Sequence, residues 1–173
     1  MVIVAVIGLP AIQYVLDTFR KTSRSSSSLV RVKRLKDLVP HKPTLVPIVG
    51  RKLDAWTQYE ETTIGRVWLV RQDEGEPSES TKVLALSSIC PHTGCQVRAT
   101  SGSPGFFCPC HQAKFGSGGE MAGSIEAGAP SPAPRGMDSL ECQVVKHETT
   151  GDLWIEVKYE LFQQGVEKKV PLG

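Results

Sequence analysis

The sequence predicts a small all-β domain of antiparallel strands carrying a loop-built insertion, with one membrane-spanning helix ahead of it. Three observations point there. Short runs rich in Val, Leu, Ile and Trp, separated by clusters of Gly, Pro, Asp and Ser, recur from Val39 onward and read as strands. Four of the five cysteines crowd into positions 90–110, inside a stretch rich in Gly and Pro, which marks a site rather than a disulfide framework. An uncharged run occupies positions 1–16.

That first run, MVIVAVIGLPAIQYVL, has Gln13 as its one strongly polar side chain. As a helix it would be roughly 24 Å long, short of a hydrocarbon core of roughly 30 Å. Gly8 and Pro10 are tolerated in such a helix. A transmembrane anchor is therefore expected over 1–19, its shortness implying a true start upstream of Met1. Residues 20–38, with Lys21-Thr22-Ser23-Arg24 and the run Ser25–Ser28, are polar and basic and predict a flexible linker. The 173 residues carry a net charge of +2, but unevenly. Residues 1–36 hold seven basic side chains and one acid; residues 37–173 hold thirteen and seventeen. An acidic folded part excludes a nucleic-acid grip, which needs concentrated positive charge.

The folded domain is expected over 39–173. Leu45–Val49 contains Pro47 and is predicted at an edge. Gly65–Arg71 is the clearest strand, and Val83–Leu86 follows an acidic loop, Asp73–Ser80. Leu140–Val145 and Leu153–Lys158 flank Glu148-Thr149-Thr150-Gly151-Asp152, a hairpin turn. Between these sets lies the insertion, about 87–136. No internal repeat and no soluble helix is evident. Trp56, Trp68 and Trp154 are expected in the core, Cys142 as a small buried apolar group, and His41 and His147 in solvent.

The insertion holds Cys90-Pro91-His92-Thr93-Gly94-Cys95 and, twelve residues on, Cys108-Pro109-Cys110-His111. Each box offers a thiolate, an imidazole and a spare cysteine. Tetrahedral zinc could take Cys₂His₂, but it leaves a cysteine in each box unexplained. A two-iron cluster with two cysteines on one iron and two histidines on the other uses this ligand set.

The boxes resemble those of the Rieske 2Fe–2S proteins, in particular the disulfide-bearing, bacterial type of cytochrome bc-type quinol-oxidising complexes, whose pattern is C-x-H-x-G-C followed by C-P-C-H. The resemblance implies one 2Fe–2S cluster, with Cys90 and Cys108 on the buried iron, His92 and His111 on the outer iron, and a Cys95–Cys110 bridge. Ser131-Pro132-Ala133-Pro134 is similar to the family's cluster-shielding loop, with Ser where Gly is usual. The order of anchor, linker and β domain also follows the family, so the resemblance spans nearly the whole chain. It implies an electron-transfer subunit of a quinol–cytochrome c reductase, not catalytic alone. Its partners would be a cytochrome b subunit, a c-type cytochrome, quinol and the membrane. His111 would accept the hydrogen bond from quinol. A disulfide persists in an oxidising compartment, so the head is expected on the periplasmic face of the inner membrane. The seven cations after the span would by themselves vote for the cytoplasm. A molybdenum oxidoreductase such as arsenite oxidase, whose Rieske subunit shares bridge and export, is the alternative; the Pro-Ala-Pro loop and the linker favour the quinol complex.

The second box departs from the family's usual C-P-C-H-G-S-x-Y. Here Ala113 stands where a serine hydroxyl, and Phe115 where a tyrosine hydroxyl, would donate to the sulfurs. Such hydrogen bonds stabilise the more negative, reduced state. Their loss predicts a lower potential, suited to menaquinol. Pro91 and Thr93 also replace the commoner Thr and Leu of the first box.

Overall fold

In the computed structural model, which describes residues 29–54, 57–102, 104–125 and 128–172, thirteen strands assemble three sheets and a small ribbon. The strands are β1 (Leu29–Arg34), β2 (Thr44–Asp54), β3 (Thr57–Arg71), β4 (Val83–Ser87), β5 (Arg98–Ala99), β6 (Phe106–Phe107) and β7 (Ala113–Phe115). They continue with β8 (Met121–Ser124), β9 (Ser139–Leu140), β10 (Cys142–Lys146), β11 (Leu153–Lys158), β12 (Leu161–Phe162) and β13 (Pro171–Leu172). The three sheets run β1-β11-β10, β2-β3-β4-β9 and β5-β6-β7-β8, and β12 pairs with β13. All paired strands are antiparallel. Apart from strands, the described residues hold one 3-10 turn, Leu35–Asp37.

The first two sheets share one apolar core: Val46, Ile48, Val67, Leu69, Ala85 and Leu140 from one face Ile155 and Val157 from the other. Strand β3 explains how the cluster subdomain attaches. Its side chains alternate, so Val67 and Leu69 enter this core while Trp68 and Val70 enter a second one. That second core contains Cys90, Val97, Phe106, Cys108, Ala113, Phe115 and Ala133. A strand buried on both faces reads as a continuous apolar run, which is why Gly65–Arg71 was the most legible strand. Gly65 itself is required for close approach. A β-carbon there would sit 2.0 Å from the ring of Tyr159, which lies flush on the strand.

Several expectations are corrected. The linker does not extend to residue 38: Leu29–Arg34 pairs with β11, and Leu35 and Leu38 are buried in the first core. Alternating Leu, Val, Val with Arg and Lys satisfies a half-exposed edge strand, and this pattern was masked by its basic composition. The anchor at 1–19 and the linker over 20–28 lie outside the described residues, as does Trp56. Among the described residues no helix is long and apolar enough to cross a membrane. Strand Leu140–Val145 is two strands: Leu140 pairs with β4, whereas Cys142–Lys146 pairs with β11, so the chain changes sheets at Glu141. The insertion is not built of loops alone, because β5 to β8 form a sheet of two- to four-residue strands. Strands that short show no periodicity. Trp154 is only half-buried, its ring covered by the guanidinium groups of Arg31 and Arg34 at 5.7 and 5.9 Å. Pro47 does lie on an edge strand, but β2 continues through it to Asp54. Trp68 is buried as expected, and His41 is exposed. His147 is half-exposed; Cys142 is half-buried against the first core.

Candidate metal centre

Two tight loops carry the cysteine–histidine boxes. In the first, the Cys90 amide donates to the Cys95 carbonyl at 2.7 Å and the Gly94 amide returns to the Cys90 carbonyl at 3.0 Å. Gly94 adopts φ +83°, the left-handed region that glycine enters without strain. The Val97 amide then bonds the Ser88 carbonyl at 2.8 Å, closing the loop at its base. In the second, the Cys108 amide donates to the Ala113 carbonyl at 2.8 Å. Gln112 follows His111 with φ +63°, unusual for a residue with a β-carbon. Its carbonyl is held there by the Ile125 amide at 2.9 Å and the Ser124 hydroxyl at 3.3 Å.

This geometry sorts the donors by depth. Cys90 and Cys108, at the loop bases, are 0% and 2% exposed. His92 is half-buried and His111 exposed, with their ring centroids 4.6 Å apart and the rings edge to face. Burial pushes the Cys90 thiol up to about 11; the backbone amide of His92 pulls the other way, and the neighbouring Cys108 sulfur adds to the rise. Burial thus favours the protonated form of the Cys90 thiol, and a metal held there must displace that proton.

Cys95 and Cys110 are joined in a disulfide, with Cα atoms 6.5 Å apart. The Cys108 sulfur lies within 4.8 Å of both bridge sulfurs. Since those two are consumed by each other, Cys108 remains the sulfur of that trio free for a metal. Of the shielding loop, Ala133 is 3% exposed and packs in the core that holds Cys90 and Cys108, while Pro132 and Pro134 stay half-exposed. Ala113 and Phe115 are buried in the same core, 1% and 3% exposed. Cys90, Cys108, Ala113, Phe115 and Ala133 thus share one core, and His92 and His111 pack against each other. What sequence reasoning missed is the C-terminal segment: the Gly165 amide donates to the Pro91 carbonyl at 2.8 Å, between Cys90 and His92. No spacing or composition signal marks that contact.

A β domain that buries two thiols and sets two more exposed imidazoles edge to face, with their loops cross-linked, is a metal-binding domain whose donors fit a cluster with unlike irons. The chain belongs to the Rieske [2Fe-2S] domain family, which matches residues 28–143, and its cofactor is a Rieske-type 2Fe–2S cluster. It is 29% identical over 139 residues to the menaquinol:cytochrome c reductase iron-sulfur subunit of Bacillus subtilis, spanning 79% of this chain and 73% of that protein. A cytochrome b6-f complex iron-sulfur subunit of Prochlorococcus marinus is 37% identical over 54 residues, 31% of this chain and 28% of that protein. Among solved structures, a plasma membrane Rieske protein of the cyanobacterium Synechocystis PCC 6803 is similar with a TM-score of 0.44 at 24% identity, covering 73% of this chain and 97% of that one. The chain is thus homologous to iron–sulfur subunits of bc-type quinol–cytochrome c reductases.

Proposed function

We propose that this chain is the iron–sulfur electron-transfer subunit of a membrane quinol–cytochrome c oxidoreductase, taking one electron and a proton from quinol and delivering the electron to a c-type cytochrome. The observation that carries this reading is the shielding loop, whose Ala133 is buried in the core that holds Cys90 and Cys108, over two ligand loops joined by the Cys95–Cys110 bridge. The similarity to a menaquinol:cytochrome c reductase subunit over most of the chain supports it.

In this reading Cys90 and Cys108 hold the inner iron, and His92 and His111 the outer one. When bound, the cluster supplies reversible one-electron chemistry. Two neutral imidazoles in place of two thiolates leave the site less negative, which favours electron uptake. His111, exposed at the tip, accepts the hydrogen bond and then the proton of quinol at Nε2. Ala133 and its flanking prolines keep water from the cysteines. Residues 87–136 carry three basic and two acidic side chains, and so weakly charged a tip docks reversibly on a cytochrome b subunit. Ala113 and Phe115 in place of hydroxyl donors tune the site toward menaquinol. The head sits on the periplasmic face of the inner membrane, where the bridge persists, anchored by residues 1–19.

Purification of the tagged chain from membranes of its source tests the assignment. Recovery of b-type haem together with quinol-dependent cytochrome c reduction is expected. Recovery with a molybdenum subunit and no b-type haem overturns it. A reduced protein silent in electron paramagnetic resonance, as zinc would leave it, overturns the ligand assignment as well.

A further inference from the structure

Arg135 follows the shielding loop directly, and its guanidinium is almost entirely withdrawn from solvent, the side chain being 10% exposed. A buried cation is retained without penalty only if a counter-charge and hydrogen bonds satisfy it. Arg135 has both. Its Nε and Nη2 grip the two carboxylate oxygens of Asp138 at 2.9 and 2.8 Å, a two-pronged pair in which Asp138 is 6% exposed. Nη2 also donates to the Gln163 carbonyl at 2.8 Å, and Nη1 donates to the Val166 carbonyl.

Each partner leads elsewhere. The Asp138 carbonyl accepts the Ser87 amide at 2.8 Å, which fixes this end to β4 of the base sheet. Gln163 and Val166 bracket Gly165, whose amide reaches the Pro91 carbonyl. Pro91 is fully buried, between Cys90 and His92. Gly165 takes φ +75°, which turns its amide inward although the residue itself is exposed. The Gln163 amide closes the segment on the Val170 carbonyl at 2.9 Å. One guanidinium therefore joins three parts of the chain that lie far apart in sequence: the shielding loop, the base sheet, and a C-terminal segment that touches the first ligand loop.

We propose that Arg135 is a positioning residue for the Cys90–His92 loop, acting through residues 163–166 rather than through direct contact with the metal site. The fork holds the two carbonyls in place, the carbonyls hold Gly165, and the Gly165 amide fixes Pro91. Lysine carries the charge but not the fork, so it cannot grip the carboxylate and two carbonyls together.

The inference rests on Cys90 and His92 being ligands, and its test separates the two claims. Amide hydrogen exchange on the parent protein should find Gly165 protected despite its exposed position. Arg135→Met should speed exchange at Gly165 by about 10- to 100-fold, the loss of a charge-assisted hydrogen-bond set, while Ile155 and Val157 in β11 stay unchanged. Bleaching of the cluster's visible absorption by a chelator should quicken by a similar factor, Arg135→Lys falling closer to Arg135→Met than to the parent. An unprotected Gly165 in the parent overturns the proposal, as does a uniform loosening that includes β11. Exchange reports on the clasp whether or not the ligand assignment holds. Faster exchange at Gly165 with unchanged bleaching overturns the link to the metal site alone.

Discussion

Replacing Cys95 and Cys110 together by serine removes the covalent tie between the two cysteine–histidine loops while leaving Cys90 and Cys108, the proposed ligands. The bridge closes a separation of 15 residues. In the chain-entropy treatment a loop of that size is worth about 3 kcal/mol, roughly 150-fold in the opening equilibrium. The non-covalent ties available to each loop are weaker. Cys90 donates to the Cys95 carbonyl and accepts from the Gly94 amide, and Cys108 donates to the Ala113 carbonyl; such bonds contribute about 1 kcal/mol net each. The cost should also be confined. Cys95 packs against the second core, and no residue of either loop belongs to the first. Native-state hydrogen exchange followed by mass spectrometry reads both quantities. The amides of Cys90, Val97 and Cys108 should exchange about 100-fold faster in the double variant, those of Leu69 and Ile155 at the parental rate, and chelator bleaching should accelerate in parallel. Ligand loops as protected as in the parent, or a β11 loosened equally, would refute the reasoning.

Restoring the missing hydroxyls by Ala113→Ser or Phe115→Tyr should each raise the reduction potential, by roughly 40 mV if one hydrogen bond of about 1 kcal/mol is gained in the reduced state; protein-film voltammetry measures it, and a downward or zero shift in both sinks the tuning argument. Acid stability offers another test. The Asp152 carboxyl is held below the usual range, first by its hydrogen bond from Lys36 and then by the charges of Lys36, Arg34 and His147. The folded state therefore binds that proton less tightly than the unfolded one. Its contribution is complete above the ordinary carboxylate pKa of about 3.9 and is lost as pH falls through the lower folded value. Urea midpoints between pH 7 and pH 2 should consequently fall less steeply on the acid side for Asp152→Asn than for the parent, and superimposable profiles would contradict the assignment.

The donor set was legible before any fold because chemistry dictates it: two Cys–His boxes with a spare cysteine each leave few metals to choose from. Strands β3, β4 and β11 were legible because they are long enough for their apolar residues to form a run. Leu29–Arg34 was not, since Arg31, Lys33 and Arg34 give it the composition of a solvated tether. Pairing with β11 brings Arg31 to Glu156 at 3.1 Å and Arg34 within 4.0 Å of Asp152, in addition to the Asp37 carboxylate that Arg34 meets locally at 3.4 Å. Strands β5 to β8 were invisible for a different reason. Two to four residues are held as strand by their neighbours, not by their own propensity.

The order of residues along the chain was enough to determine the ligand candidates, the family and the cofactor, because metal preference depends on donor type and short-range spacing. Depth and mutual position are set by long-range packing. The alternation of β3 decides that Trp68 and Val70 join the core that holds Cys90 and Cys108 while Val67 and Leu69 serve the other core, and in this packing the thiols end buried and His111 exposed. Arg135, ordinary as a letter after Pro134, has Asp138 three residues on, but it meets the Gln163 and Val166 carbonyls only once the C-terminal segment folds back. Contacts between residues about 30 positions apart leave no mark on local pattern, since nothing in a side chain's own neighbourhood encodes which distant carbonyl it will meet.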